Sequence, residues 1–137
     1  MFKSEGSSVS PIIVIVLVNF LGELLKPELL MPAGSFEKLK WAFKFGADAV
    51  YAGVPIFSLR ARENEFNFED LTNAYKLARA ENKKIYLTAN IFAHNLKIKA
   101  FTEHLDKWAC LSPDALIMSD PGLISIVKER HPEIPIH

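Results

Sequence analysis

The sequence contains little cysteine and little glycine, and neither sign of charge is in excess. Of its 137 residues, one is cysteine (Cys110) and six are glycine, while sixteen lysines and arginines balance sixteen aspartates and glutamates. A single thiol cannot form an internal disulfide or supply the ligands of a zinc or iron–sulfur site, so we expect a reducing compartment, the cytoplasm. A formal net charge of zero excludes a global attraction to nucleic acid or to an anionic membrane, so either partner would need a local basic patch.

Long apolar runs are scarce as well. Residues 11–21 read PIIVIVLVNFL, which falls short of the ~20 residues that a membrane-spanning helix needs, so we expect no membrane partner. The run has the length of a signal-peptide core, but no small-residue cleavage site follows it. We predict that residues 1–25 form an apolar leader outside the fold, either a loose extension or sequence translated from a start codon placed too early. Residues 26–137 then form the domain.

The rest of the sequence alternates strand-length apolar runs with longer segments at helical spacing. Four such runs and the beginning of a fifth occupy residues 28–31, 48–52, 84–90, 114–118 and 133–137. This alternation is typical of βα units and a parallel sheet. The spacing is close to that of a (β/α) barrel, whose eight units take roughly 250 residues, so we predict the amino-terminal half of a TIM-like barrel with about four βα units. The alternative is an open α/β sheet with helices on both faces. Such a sheet usually has a glycine-rich loop after its first strand, and residues 32–35 are too short to form one.

Capping residues mark the helices between the predicted strands. Ser35 and Asn67 stand where N-caps are expected, and Asp120 precedes a proline that suits the first helical position. Gly46 and Asn82 stand at helix ends, where a residue that tolerates a positive φ is favoured. With apolar residues at helical spacing between these positions, the sequence predicts four amphipathic helices.

Functional side chains are expected at the carboxyl ends of the strands in either architecture. After the first strand, Gly34 and Ser35 begin a helix whose free N–H groups would suit an anion, although a tight strand-to-helix turn explains the same residues. After the second strand, Ser58 precedes Arg60 and Arg62. The i, i+2 spacing of the arginines places two guanidinium groups on one side of an extended loop, where they suit a carboxylate or phosphate; a solvated loop paired with neighbouring glutamates is the alternative.

Fewer candidate site residues follow the third and fourth strands. Asn90 ends the third strand and His94 follows it, so an amide and an imidazole could orient a substrate or move a proton, although a lone histidine is more often surface. Ser119 and Asp120 follow the fourth strand, where helix capping already accounts for the acid. Cys110 ends a helix on the opposite side, and we predict that it is buried in packing and is not a nucleophile. No pair of histidines has metal-ligand spacing, so we predict no metal site.

Four sequence blocks carry a family resemblance. They are KPELLMPAGSFEKLKWAFKFGADAVYAG at residues 26–53, FSLRAR at 57–62, TAN at 88–90 and DALIMSDPG at 114–122. In this order they resemble the amino-terminal part of peptidase family U-32, the collagenase-like peptidases. The resemblance implies a TIM-like barrel, with Ser58, Arg60, Arg62 and Asn90 as substrate-binding residues.

The resemblance also implies several activities for a full-length protein. Members are named as peptidases, and others look like factors for the hydroxylation of tRNA or rRNA bases or of ubiquinone, some with an iron–sulfur cluster. The cluster cysteines belong to the later half, so we expect no cofactor in this chain. We expect the chain to be inactive alone and to need a carboxyl-terminal half-barrel or a second copy as partner. A module that binds an anionic metabolite or RNA through Arg60 and Arg62 is a further alternative.

Overall fold

A computed structural model describes residues 27–54, 57–58, 66–91 and 95–137, with only the backbone of Asn95 and Leu96. The leader predicted at residues 1–25 lies outside these ranges. None of the helices within them has the length and apolar character needed to cross a bilayer.

Four parallel strands form one sheet in the order in which they occur along the chain. They are β1 (Leu30–Pro32), β2 (Ala49–Gly53), β3 (Lys84–Thr88) and β4 (Ala115–Ile117). A further parallel bridge joins Leu116 to Ile136, and His137 donates its backbone N–H to the carbonyl oxygen of Leu116 at 2.9 Å. The predicted α/β class and parallel sheet are confirmed, with the beginning of a fifth strand beside β4. Closure of a barrel stays a prediction.

A helix follows each strand. The four helices are α1 (Phe36–Lys44), α2 (Phe68–Ala80), α3 (Asn95–Ala109) and α4 (Pro121–Arg130). Three predicted N-caps are confirmed, because the side chains of Ser35, Asn67 and Asp120 each accept the backbone N–H of the residue three positions later, at 3.3, 2.8 and 3.0 Å. The helix-ending positions are confirmed too, since Gly46 has φ of 94° and Asn82 has φ of 53°.

The main core lies between the helices and one face of the sheet. It combines buried residues of all four helices with alternate residues of the strands, among them Val50, Ala52, Ile85, Leu87 and Leu116. Phe57, from the segment after β2, completes this core by edge-on contacts with Phe101 and Trp108 of α3, each at a ring-centroid distance of 5.6 Å. An aromatic side chain from the segment between β2 and α2 is therefore part of the core.

The opposite face of the sheet carries a separate, smaller cluster. Its buried members are Ala49, Tyr86 and Ala115, against which Tyr51 and Ile117 pack, and all five belong to strands. In the part of the chain that the structure describes, the helices therefore lie on one face of the sheet. A doubly wound sheet would carry helices on both.

Two aspartates fix where neighbouring strands begin. Asp48, just before β2, accepts the backbone N–H of Leu29 at 3.0 Å, and Asp114, just before β4, accepts that of Ile85 at 2.8 Å. Asp114 is also paired with Arg79 of α2 at 2.6 Å. Backbone N–H groups need an acceptor when they leave water, and these carboxylates supply one at the amino end of the sheet. The bond to Asp48 also explains why β1 begins later than the sequence predicts.

The predicted burial of Cys110 is wrong. Its side chain is exposed, and its Sγ donates to the carbonyl oxygen of Asp106 at 3.3 Å. The buried face of α3 is formed by Phe101, Leu105 and Trp108. A residue two positions beyond Trp108 is turned by about 200° around a helix axis, which directs it away from that face.

Replacement of Asp114 tests its role at the start of the sheet. We expect Asp114→Ala to lower the free energy of unfolding by about 1–3 kcal/mol, because the part-buried N–H of Ile85 loses its acceptor and Arg79 loses its ion pair. Glu103→Ala is the matched control, since Glu103 is an exposed acid on α3 and exposed charges contribute little. Urea unfolding followed by circular dichroism measures both variants, and an equal loss in the two would contradict this role.

Candidate functional site

The carboxyl ends of the strands meet at one edge of the sheet, which we call the carboxyl edge. Backbone bonding continues past the strands there: Ala33 donates its N–H to the carbonyl oxygen of Tyr51, and Ala89 donates to that of Ile117, both at 2.9 Å. The segments that follow the four strands therefore start side by side. Parallel α/β proteins bind their ligands at this edge.

The turn after β1 holds Gly34 and Ser35 at the carboxyl edge. Both residues are half-buried. Ser35 Oγ accepts the N–H of Lys38 at 3.3 Å, and the carbonyl oxygen of Ser35 accepts that of Leu39 at 3.0 Å. Ser35 is thus the N-cap of α1, which agrees with the alternative of a tight strand-to-helix turn. Binding of an anion at this turn stays a prediction.

Ser58, after β2, is anchored by its neighbour in the sequence. Phe57 is buried against Phe101 in the main core, and Ser58 is itself buried, with only 8% of its surface exposed. Arg60 and Arg62, the predicted anion-binding pair, lie outside the described residues. The structure therefore describes Ser58, two residues before Arg60, but not the arginines themselves.

The ends of β3 and β4 bring Asn90 and Ser119 together. Ser119 is exposed and donates its hydroxyl to the carbonyl oxygen of Asn90 at 3.5 Å, while Asn90 is half-buried. Asp120 caps α4 by accepting the N–H of Leu123 at 3.0 Å. His94 lies outside the described residues. The described part of the carboxyl edge thus offers hydroxyl and amide groups, which are suited to hydrogen bonds with a polar ligand.

An ionic cluster that the sequence did not indicate lies at the amino end of the sheet. Lys84 Nζ donates to Glu28 Oε2 and the Tyr86 hydroxyl donates to Glu28 Oε1, both at 2.6 Å. The Tyr86 ring is tilted against that of His137, with centroids 5.2 Å apart. Alternation along β3 places Lys84 and Tyr86 on one face, but Glu28 is 56 residues from Lys84, and no local pattern connects them.

This cluster shifts the ionisation of its three members. The hydrogen bonds from Lys84 and Tyr86 lower the pKa of Glu28. The bond to Glu28 raises the pKa of Lys84, and burial together with the same carboxylate raises the pKa of Tyr86. Each shift favours the form already present at neutral pH, so the cluster acts as a structural tie between the β1 segment and β3, and not as an acid–base pair.

The described histidines take part in packing and ion pairs. Nε2 of His131 lies 3.0 Å from Asp106 Oδ1, and Arg130 donates to the same carboxylate at 2.8 Å, which joins α4 to α3. Both bonds lower the pKa of Asp106, and the bond to His131 has the larger effect. Across residues 27–54, 57–58, 66–91 and 95–137 no group of three or more His, Cys, Asp or Glu side chains could hold a metal ion.

Comparison with protein families gives a match over most of the chain. The model of peptidase family U32 matches residues 34–137. A solved U32 peptidase structure superimposes with a TM-score of 0.62 at 13% sequence identity, covering 99% of this chain and 50% of that one. At this identity the likeness concerns the fold alone.

Curated relatives carry two kinds of name. The chain is 54% identical over 114 residues to tRNA hydroxylation protein P of Escherichia coli, covering 83% of this chain and 25% of that protein. It is 53% identical over 112 residues to the protein of the same name from Haemophilus influenzae, covering 82% and 24%. It is 33% identical over 108 residues to a collagenase of Porphyromonas gingivalis, covering 78% and 26%. The chain spans about a quarter of the length of these relatives.

Removal of the Tyr86 hydroxyl tests the ionic cluster. The pKa of Glu28 is lower in the folded chain than its ordinary value of 4.5, so Glu28 contributes stability that is present above that value and is lost as the pH falls through the folded pKa. Tyr86→Phe removes one of the two bonds that lower this pKa. We therefore expect the stability lost between roughly pH 6 and pH 3 to be smaller in the variant than in the parent.

Urea midpoints measured across this pH range give the comparison. Tyr51→Phe, on the neighbouring strand and the same face, is the matched control and should keep the pH dependence of the parent. An unchanged acid-induced loss in Tyr86→Phe would contradict the assignment of its hydroxyl to Glu28.

Proposed function

The chain belongs to peptidase family U32, and we propose that it forms the amino-terminal half of a TIM-like (β/α) barrel in a protein that hydroxylates tRNA. It supplies substrate-binding residues at the carboxyl edge and is inactive without the rest of the barrel. Its expected partner is the carboxyl-terminal half-barrel, and its expected compartment is the cytoplasm.

The arrangement of the sheet supports the barrel. The strands run in sequential order with helices on one face, and the segment at Ile136 begins a fifth strand beside β4. Because this segment occupies the outer edge of β4, a second copy would have to displace it to pair with β4. The solved relative, half of which this chain covers, has the length that such a completion needs.

The observation that carries the tRNA assignment is the 54% identity over 114 residues to a tRNA hydroxylation protein, against 33% to a collagenase. The site chemistry supports the same choice. Ser119 donates to a backbone carbonyl oxygen, and Cys110 ends α3 on the side away from the carboxyl edge. A hydrolytic nucleophile is activated by an adjacent base, and neither residue is bound in that way.

The candidate residues suit recognition of a polynucleotide. Arg60 and Arg62 would form charge-assisted bonds with phosphate groups, for which the guanidinium fork is suited. Ser58 and Asn90 would orient the base or ribose at the carboxyl edge by hydrogen bonds. Phosphate contacts of this kind position a nucleic acid without reading its sequence, so selection among bases would fall to the remainder of the protein.

An iron–sulfur cluster does not fit the residues of this chain. Such clusters are held by several cysteine thiolates, whereas the chain has one cysteine, which lies at the end of α3. Any cluster of the complete protein would be bound by residues outside this sequence. The chemistry that we assign to this chain is therefore binding and orientation.

Binding of tRNA by this chain tests the proposal. We expect Arg60→Ala/Arg62→Ala to weaken binding and to reduce the slope of log affinity against log salt by about 2, because two phosphate contacts are lost. The matched control is Lys107→Ala/Lys128→Ala, which removes two exposed lysines from the last turns of α3 and α4, away from the carboxyl edge, and should leave both quantities unchanged. Filter binding over a series of salt concentrations measures them.

Two outcomes would overturn this function. One is tRNA affinity that responds equally to the arginine and lysine pairs. The other is hydrolysis of gelatin by the purified chain that is abolished by Arg60→Ala, which would assign the loop to a peptidase.

A further inference from the structure

The outer face of α1 carries an exposed aromatic pair among lysines. Trp41 is 48% exposed and Phe45 73% exposed, and their rings are stacked with centroids 5.9 Å apart and an interplanar angle of 26°. The inner face of the same helix is buried through Leu39, Ala42 and Phe43. The aromatic pair therefore contributes little to the core, although large exposed apolar side chains are unfavourable in water.

Lysines surround this pair. Lys44 Nζ lies 4.7 Å from the centroid of the Trp41 ring, and Lys40 Nζ lies 5.1 Å from that of Phe36. Lys38 is also exposed, and Glu37 is the acidic residue of the helix. In a chain whose formal net charge is zero, α1 thus has a local excess of positive charge, as any nucleic-acid partner would require.

The composition of this face favours a nucleic acid over a protein as partner. Lysine is depleted at protein–protein interfaces, because an ammonium group is costly to bury. Surfaces that bind single-stranded nucleic acid combine lysines or arginines with aromatic rings on which bases stack, and every base has a face suited to stacking. Trp41, Lys44 and Phe45 provide both elements on one helix face, and Lys38 and Lys40 lie at its two margins.

The position of α1 connects this face to the carboxyl edge. The helix begins at Ser35, directly after the carboxyl end of β1. With a rise of 1.5 Å per residue, Trp41 lies about 9 Å along the helix axis from its cap. A polynucleotide at the carboxyl edge would therefore reach the aromatic pair within a few nucleotides.

We infer that the outer face of α1 is a docking surface for a single-stranded segment of RNA, with a base stacked on Trp41 and Phe45 and phosphates bound by Lys38, Lys40 and Lys44. The inference rests on the proposed function and extends it to a surface outside the candidate site. Its partner is an unpaired segment of the tRNA, because bases in a duplex are already stacked on each other.

Tryptophan fluorescence tests this surface directly. The chain has two tryptophans, and Trp108 is 2% exposed, so Trp108→Phe leaves Trp41 as the reporter. We expect saturable quenching on titration with tRNA or polyuridylate at low salt, reversed by added salt. Should Trp108→Phe fail to fold, the difference in quenching between the parent chain and Trp41→Phe gives the same signal, since Trp41 is on the surface.

Single substitutions separate the stacking of a base on the aromatic pair from general electrostatic attraction. Phe45→Ala and Lys44→Ala should each weaken polyuridylate binding, with a loss of about fivefold or more for Phe45→Ala. Phe68→Ala and Lys76→Ala are the matched controls, since both residues are exposed on α2, and they should bind as the parent does.

Three results would overturn the inference. If filter binding shows that the chain binds tRNA but Trp41 is not quenched, the docking surface is wrong while the proposed function stands. If tRNA neither binds nor quenches, both are wrong. If vesicles containing phosphatidylserine quench Trp41 as strongly as polyuridylate does, and polyuridylate does not compete with them, the face binds membranes.

Discussion

Two backbone N–H groups at the amino end of the sheet are bound by carboxylates, and the register of the strands depends on these bonds. Asp48 accepts from Leu29, and Asp114 accepts from Ile85. Each aspartate precedes its own strand and binds the neighbouring chain segment, which aligns the two. Leu30 of β1 then pairs with Ala49 of β2, and Ala115 of β4 pairs with Tyr86 of β3. In a parallel sheet this alignment carries through to the other end. The segments after β1 to β4 consequently leave side by side, and the carboxyl edge can collect polar groups from distant parts of the sequence.

The two ends of the sheet thus serve different purposes. At the amino end, Glu28 is held between Lys84 and Tyr86 in an arrangement that stabilises the charges already present at neutral pH. At the carboxyl edge, Asn90 and Ser119 follow the ends of β3 and β4 and are joined by a hydrogen bond. Helix α1 combines both purposes, because its inner face closes the core while its outer face keeps lysines and aromatic rings in solvent. A chain without net charge could bind RNA through such a local surface.

Local signals predicted most of the fold. The caps at Ser35, Asn67 and Asp120 depend on residues within one turn, and the strands follow from short apolar runs, so both could be predicted from the sequence. Contacts across long separations could not, which is why the partners of Glu28 and the burial of Ser58 were missed. The error at Cys110 has a different origin: its apolar neighbours suggested burial, whereas its angular position on α3 directs it to solvent. Of the predicted site, Asn90 is at the carboxyl edge and Ser58 is buried beside Phe57, while the roles of Arg60 and Arg62 stay predictions.

The central claim is that one surface, from the carboxyl edge to the outer face of α1, binds tRNA. Ultraviolet cross-linking of tRNA to this chain, followed by mass spectrometry of the cross-linked peptides, tests it most directly. The account predicts cross-links within residues 36–45 and within residues 57–62. Cross-links confined to α3 and α4 would contradict it.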